Sequence, residues 1–460
     1  MTLITDKKAF AAATPIIVTD RKRLPPFLEK CDPAARQWIA RACFEGAPGS
    51  SCIVPGKKGA IEFVLAGVNS VDDPFCLSHL PMQLPKGRYA LAGRDERGPL
   101  AIAPETAALS WSLGSYDFTR YRKARRKPAE LQVEGSAKVK AALEMRDAIF
   151  LVRDLVNTPT EDMGPAQLAD AARAVAEEFG GTFDEWVGDE LLEQNFPAIH
   201  AVGRASHRPP RLLEIRWGNP KHPRVALIGK GVCFDTGGLD IKSADGMRLM
   251  KKDMGGAAHA IALARLVMQQ KLPVYLHMLV PAVENAISGN AYRPGDVVRT
   301  RKGLTVEIGN TDAEGRMVLC DALAYAAEEK PRLIVDFATL TGAARTALGP
   351  ELPALYCNRD ELADHLLEIG DEIGDPMWRM PLWRGYRRFF DSDIADFNNS
   401  GRGGFAGSIV AALFLDYFVP DDTAWIHFDV YSWNDIGRPG RPLGGEAQGL
   451  RAMLALLRDL

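Results

Sequence analysis

The sequence predicts an α/β protein in two parts: a small N-terminal α/β domain, then a larger C-terminal domain with a mostly parallel sheet flanked by helices. Three observations carry this. Beyond residue 158, short apolar segments alternate with segments of helical period, the pattern of strands joined by crossover helices. The first 135 residues instead hold short mixed elements broken by frequent Gly and Pro. Between them, Ala137 to Asn157 reads as one helix, with Val139, Ala142, Leu143, Met145 and Ile149 at helical spacing, ended by Thr158-Pro159. The expected organisation is therefore 1–135, a linking helix at 136–158, and 159–460.

In chain order, Ile61 to Val68 and Tyr89 to Leu91 read as strands of the first domain. In the second, Arg224–Ile228, Val274–Val280, Leu304–Ile308, Leu333–Phe337 and Trp425–Val430 read as strands, and 255–270, 314–329 and 449–460 as helices. Sheets of this kind bind ligands beyond the carboxyl ends of their strands. Those loops are where chemistry is expected.

Composition narrows the partners. The chain has 460 residues, 56 Lys plus Arg against 59 Asp plus Glu, and a formal charge of −3, so no global field draws it to nucleic acid or an anionic membrane. No apolar run approaches the roughly 18 residues of a membrane span, and the first ten residues do not read as a secretory signal. Seven cysteines with no C-x-x-C pair argue against a disulfide scaffold or a zinc ribbon. Free thiols in a reducing cytoplasm are the expectation.

The loops after the strands concentrate charge. One runs Gly229-Lys230-Gly231-Val232-Cys233-Phe234-Asp235 and on to Lys242; Lys251-Lys252-Asp253 precedes a helix; a third reads Asn310-Thr311-Asp312-Ala313-Glu314-Gly315-Arg316. Lys230, Asp235, Asp312 and Glu314 are expected at one sheet edge, with Asp253 near a helix start. Carboxylates so gathered repel unless cations neutralise them, and such clusters often hold two divalent ions. The loops contain no His, and oxygen ligands suit Mn²⁺ or Mg²⁺, with Zn²⁺ also tolerated. Arg316 opens a helix, where free N–H groups and a bidentate guanidinium favour a small oxyanion. Alone, a D-x-E, a Gly-Gly before a helix or a lysine after a strand is usually a turn, packing or surface. Their co-location makes the case.

The segment 310–316 resembles the hallmark of the leucyl aminopeptidases, the cytosol aminopeptidase family. The run from Lys230 through Lys242, Met250 and Asp253-Met254-Gly255-Gly256-Ala257, and then Pro281–Asn285 and Ser288–Asp296, are similar to the same family. The resemblance covers about residue 153 to the end. It implies a two-metal exopeptidase acting on peptides with a free N-terminus, usually a homohexamer, cytoplasmic and not membrane-bound. It places Lys230, Asp235, Asp253, Asp312 and Glu314 as metal ligands, Lys242 as the catalytic lysine, and Arg316 as the holder of a bicarbonate helped by Ala313, Gly315 and Leu340. Met250, Thr339, Gly342 and Ala447 fall near the pocket for the first side chain. Thr236, Asp240, Ser243 and Gln448 depart from the family pattern without removing a ligand.

Two features lie outside that frame. Arg120, Arg122, Lys123, Arg125, Arg126 and Lys127 form a basic run whose functional reading, an accessory DNA contact, is weaker than that of a solvated linker face. His259, His277 and His427 read as satisfied core or surface histidines, and Trp378 and Trp383 as core or oligomer contacts.

Overall fold

The structure is a computed structural model and describes residues 2–92, 100–401 and 403–460. The chain divides into two compact units, one formed by Met1–Phe150 with Ile436–Leu443, the other by Leu151–Asp435 with Gly444–Leu460.

In the first unit, a six-stranded sheet runs in the order Leu3–Ile4, Glu130–Gln132, Arg88–Leu91, Thr14–Thr19, Ile61–Gly67, Ser51–Pro55, all pairs parallel except the last. Its core gathers Ile16, Val64, Leu131 and the fully buried Trp111, whose indole N–H reaches the Ala129 carbonyl at 3.1 Å. The segment Ile436–Leu443 joins this unit through Arg441, stacked 4.3 Å over the Phe75 ring. The basic run is engaged locally: Arg122 pairs with Asp117, Arg126 donates to the Met82 and Leu84 carbonyls, and Lys127 lies 3.5 Å from Glu130.

The second unit holds a mixed sheet ordered Trp378–Arg379, Ala354–Cys357, Ala424–Asp429, Leu333–Ala338, Arg224–Gly229, Tyr275–Asn285, Arg211–Trp217, Thr182–Val187. Its centre is parallel and the pairings beside it antiparallel, with the edge strand Trp378–Arg379 again parallel to its neighbour. The central strands are largely apolar, with Asp336 a buried exception, because helices such as Gly255–Gln269 and Glu314–Glu328, themselves nearly all buried, cover them. Gly256 permits the closest approach. A Cβ there would sit 2.1 Å from the Phe337 carbonyl oxygen, so helix and strand meet backbone to backbone.

Three sequence expectations change here. Gly231–Asp235, expected as loop, is a strand parallel to the second half of Tyr275–Asn285, which runs five residues past the expected Val280. The strand expected at Leu304–Ile308 is only Thr305–Glu307 and lies outside the main sheet, in a separate three-stranded sheet with Val297–Arg299 and Phe397–Asn398. Its flanking residues are half-buried, too few apolar contacts to hold a central position. Trp378 and Trp383 are both exposed and belong to no core.

Candidate active site and metal centre

Four carboxylates and two lysines meet at the ends of these elements. Asp235 closes the strand Gly231–Asp235, Asp253 sits in the 3-10 turn Met250–Met254, and Asp312 and Glu314 flank the start of the helix Glu314–Glu328. One carboxylate oxygen from each of Asp235, Asp312 and Glu314 lies within 4.8 Å of the others. Lys230 Nζ is 2.8 Å from both Asp253 Oδ2 and Glu314 Oε1, and donates to the Thr339 carbonyl at 3.0 Å. Lys242 Nζ is 2.8 Å from Asp235 Oδ2 and 2.5 Å from Asp312 Oδ1. The glycine of the hallmark has a steric reason here. A Cβ on Gly315 would lie 2.7 Å from Lys230 Cε, so any larger residue would push the lysine away from Asp253 and Glu314.

The electrostatics are unbalanced. Four buried or half-buried carboxylates face two ammoniums. Burial, and then repulsion from Asp235, push the Glu314 carboxyl up to about 8; burial and Asp253 push Asp235 up to about 6. Burial works to lower Lys230, but the charges of Asp253 and Glu314 outweigh it and keep the ammonium protonated. Lys242 is held up in the same way by Asp235 and Glu314. Divalent cations would relieve this excess, and the oxygen-rich donor set fits them.

The ligand loops are fixed by hydrogen bonds from uncharged donors. Asn285 donates to Asp235 Oδ1 at 2.8 Å and to the Thr311 carbonyl, which also accepts from the Tyr292 hydroxyl at 2.7 Å. Asp240 does not face the cluster as a loose charge. Its Oδ2 accepts from the Thr311 amide at 2.7 Å and clamps the loop that carries Asp312. Thr339 donates to Asp253 Oδ1 at 2.8 Å, which ties a residue placed near the pocket to a ligand. Gln448 receives the Ser432 amide and donates to the Pro350 and Glu351 carbonyls, so its extra length joins three segments. Thr236 donates to the Asn285 carbonyl at 2.8 Å and accepts from the Gly238 amide, while Ser243 serves a local turn.

Arg316 is buried, and burial lowers its guanidinium to about 10. It donates from Nη1 to the Asn399 carbonyl at 2.5 Å, while its Nε has no hydrogen-bond partner. That leaves a buried cation with free donors, which suits a small oxyanion. Of the backbone groups expected to help, Ala313 donates to the Asn310 carbonyl, and the Leu340 amide already donates to Asp429 Oδ1 at 3.0 Å. Met250 and Ala447 are half-buried, and Gly342 is exposed at a helix start.

Sequence reasoning missed Asn399. It is fully buried, its Oδ1 accepts from the Gly309 and Asn310 amides, and its Nδ2 donates to the Asn310 carbonyl. Its only signal was a polar residue in an otherwise unremarkable Asn-Asn-Ser turn. The histidines lie outside the cluster. His259 is held between the Gly255 carbonyl and the Gln448 amide, His277 contacts Glu214, and His427 bonds to Asp336 on the neighbouring strand.

Residues 150–454 match the model of the cytosol aminopeptidase family catalytic domain, and 14–134 that of the M17 aminopeptidase N-terminal domain. The chain belongs to the cytosol aminopeptidase family. It is a peptidase and so a hydrolase. Among curated relatives, the probable cytosol aminopeptidase of Syntrophotalea carbinolica is 41% identical over 94% of both chains. That of Brucella anthropi is 37% identical over 90% of this chain and 89% of its own. The crystal structure of cytosol aminopeptidase from Coxiella burnetii superposes with a TM-score of 0.95 at 48% identity, covering 100% of this chain and 99% of that one. The bottromycin maturation enzyme BotP in complex with Mn gives 0.87 at 31% identity, over 98% and 99%. The aminopeptidase fold thus extends over both units. No helix among the described residues is long and apolar enough to cross a membrane.

Proposed function

We propose that this cytosol aminopeptidase releases N-terminal residues, Leu-type and others, from peptides by metal-assisted hydrolysis. The excess of buried carboxylate over ammonium around Asp235, Asp312 and Glu314 carries the reading. Lys230, Asp235, Asp253, Asp312 and Glu314 would hold two divalent cations, Mn²⁺ or Zn²⁺ and compatibly Mg²⁺. Such a pair supplies an activated water and a polarised scissile carbonyl. Bicarbonate at Arg316 would supply the general base.

The chain's own residues do the rest. Lys242, protonated and 17% exposed at its side chain, is placed to stabilise the oxyanion that forms from the carbonyl. Asp240, Asn285 and Tyr292 hold the loop of Asp312 in place. Met250, Thr339, Gly342 and Ala447 would receive the first side chain. A homohexamer in the cytoplasm completes the reading. The exposed Trp378, Trp383 and Phe405 are apolar surface of the kind an assembly covers.

The test is release of the first residue from Leu-, Met-, Lys- and Cys-Gly-type substrates with Mn²⁺, Zn²⁺ or chelator. Metal-dependent release from free amines but not from acetylated ones is the expected result. Equal release from both would overturn the exopeptidase assignment.

A further inference from the structure

Close to the carboxylate cluster lies an inverse imbalance. Lys252 is buried at 6% exposure, yet among the described residues its ammonium forms neither a hydrogen bond nor an ion pair. Its Nζ lies 4.8 Å from the centre of the Tyr431 ring. The same ring carries the Arg345 guanidinium at 5.1 Å, and Arg345 Nη1 donates to the Tyr431 hydroxyl at 3.4 Å. Arg345 too forms no ion pair among the described residues. Two cations therefore share one aromatic ring and neither forms an ion pair among the described residues; the carboxylate bonded to that ring, Asp435, accepts from the Tyr431 hydroxyl at 3.2 Å. The ring's π-face attracts each cation but leaves their mutual repulsion in place. The carboxylates whose fields reach Lys252 are Asp253 and Asp429, and both are committed elsewhere. Asp253 serves Lys230 and Thr339; Asp429 serves Leu340, Thr341 and Ser408. A buried cation left this way favours an anion from outside.

The placement says which anion. Lys252 follows Met250 by two residues in the turn Met250–Met254, and Arg345 follows Gly342 by three in the helix Gly342–Leu348. The elements that carry the two cations thus also carry two of the residues assigned above to the first side chain. We propose that Lys252 and Arg345, gathered on Tyr431, form a subsite for a substrate carboxylate, so that peptides beginning with an acidic residue are favoured. This rests on the aminopeptidase reading. The same chemistry would also accept the C-terminal carboxylate of a dipeptide, so the test separates the two sources.

The Mn²⁺-loaded full chain is assayed on Glu-, Gln- and Leu-p-nitroanilides, and on Leu-Gly against Leu-Gly-amide. The wild type is expected to favour Glu over its isostere Gln by about tenfold or more in kcat/KM, chiefly through KM. Lys252→Met and Arg345→Gln should bring that ratio to within about twofold of unity. Arg345 is exposed, so its variant keeps the test valid should Lys252→Met fail to fold. A collapse confined to the Leu-Gly to Leu-Gly-amide ratio assigns the subsite to the C-terminal carboxylate and overturns the acidic first residue. Release of Leu with neither preference in the wild type, or with both ratios unchanged in both variants, overturns the subsite alone. No release of Leu by the wild type overturns the aminopeptidase reading, and this proposal with it.

Discussion

Two buried clusters of charge lie at opposite ends of the strands Arg224–Gly229 and Tyr275–Asn285 and are built on different terms. Around Glu214, the carboxylate accepts from His277 Nε2 at 2.7 Å and from Arg216 at 2.9 Å; Arg216 also reaches Glu329 at 2.7 Å, and Glu329 lies 3.4 Å from Arg224. Two carboxylates meet two guanidiniums. Burial works to raise Glu214, but the His277 and Arg216 hydrogen bonds outweigh it and hold its carboxyl down at about 2. Around Glu314, four carboxylates meet two ammoniums, and the carboxyls of Glu314 and Asp235 are driven up. A closed account of charge is structure, whereas an open one at the ends of strands leaves a place for a cation. The contrast shows that burial of ions alone does not mark a site; the unbalanced remainder does.

Substitutions should separate the two clusters. The largest expected effect is Glu314→Ala, which removes one of the carboxylates proposed above to hold the metal ions. Metal content by mass spectrometry should fall below that of the wild type, and turnover with it, while the circular dichroism spectrum is kept. Full metal content in that variant would contradict the assignment. Glu214→Ala should act on stability instead. It leaves His277 and Arg216 without their buried partner at a cost of about 3–5 kcal/mol, read as a lower denaturation midpoint, with metal content unchanged in the folded fraction. Lys242→Ala should keep both metals and lose about 2.7–4 kcal/mol of transition-state stabilisation, seen in kcat.

A smaller effect follows from pH. In the metal-free protein, Lys230 carries a proton, Glu314 titrates at about 8 and Asp235 at about 6. Metal ligation needs each of these groups deprotonated, so binding releases protons and affinity should rise as pH climbs from about 6 through 8. Calorimetric titrations in buffers of different ionisation enthalpy should show that release. An affinity that falls with pH across this window would mean that the raised carboxyls are not ligands. The balanced cluster behaves oppositely. Glu214, depressed below its unfolded value, contributes stability above about pH 4.5 that is lost only as pH falls toward 2.

Much of this contrast was legible in the chain. Asp235, Asp253, Asp312 and Glu314 fall after apolar segments, and the strand-end rule for α/β sheets gathers them without any coordinates. The hallmark at 310–316 raised that from a pattern to a family resemblance. What stayed hidden depends on three-dimensional partners. The strand Gly231–Asp235 follows Gly229 with only Lys230 between, so local pattern reads it as loop; its pairing with Ala282–Asn285 makes it a strand. Asn399 lies 83 residues from Arg316, and a lone Asn in a turn carries no local sign of what it holds. Asp240 read only as a departure from the family pattern and is the acceptor for the Thr311 amide. His427 read only as a satisfied histidine, and its partner, Asp336, lies on the adjacent strand. Periodicity reports which face a residue occupies, not which residue it meets across the sheet.

The central claim is that the open charge account at Asp235, Asp312 and Glu314 is closed by two divalent cations. The direct measurement strips the wild type with chelator, adds Mn²⁺ back in steps, and follows bound metal per subunit together with release of Leu from a free-amine peptide. Saturation at two ions, with release returning as they bind and lost again on chelation, is the predicted result. Release that survives complete removal of metal, or a stripped protein that takes up none, would contradict it.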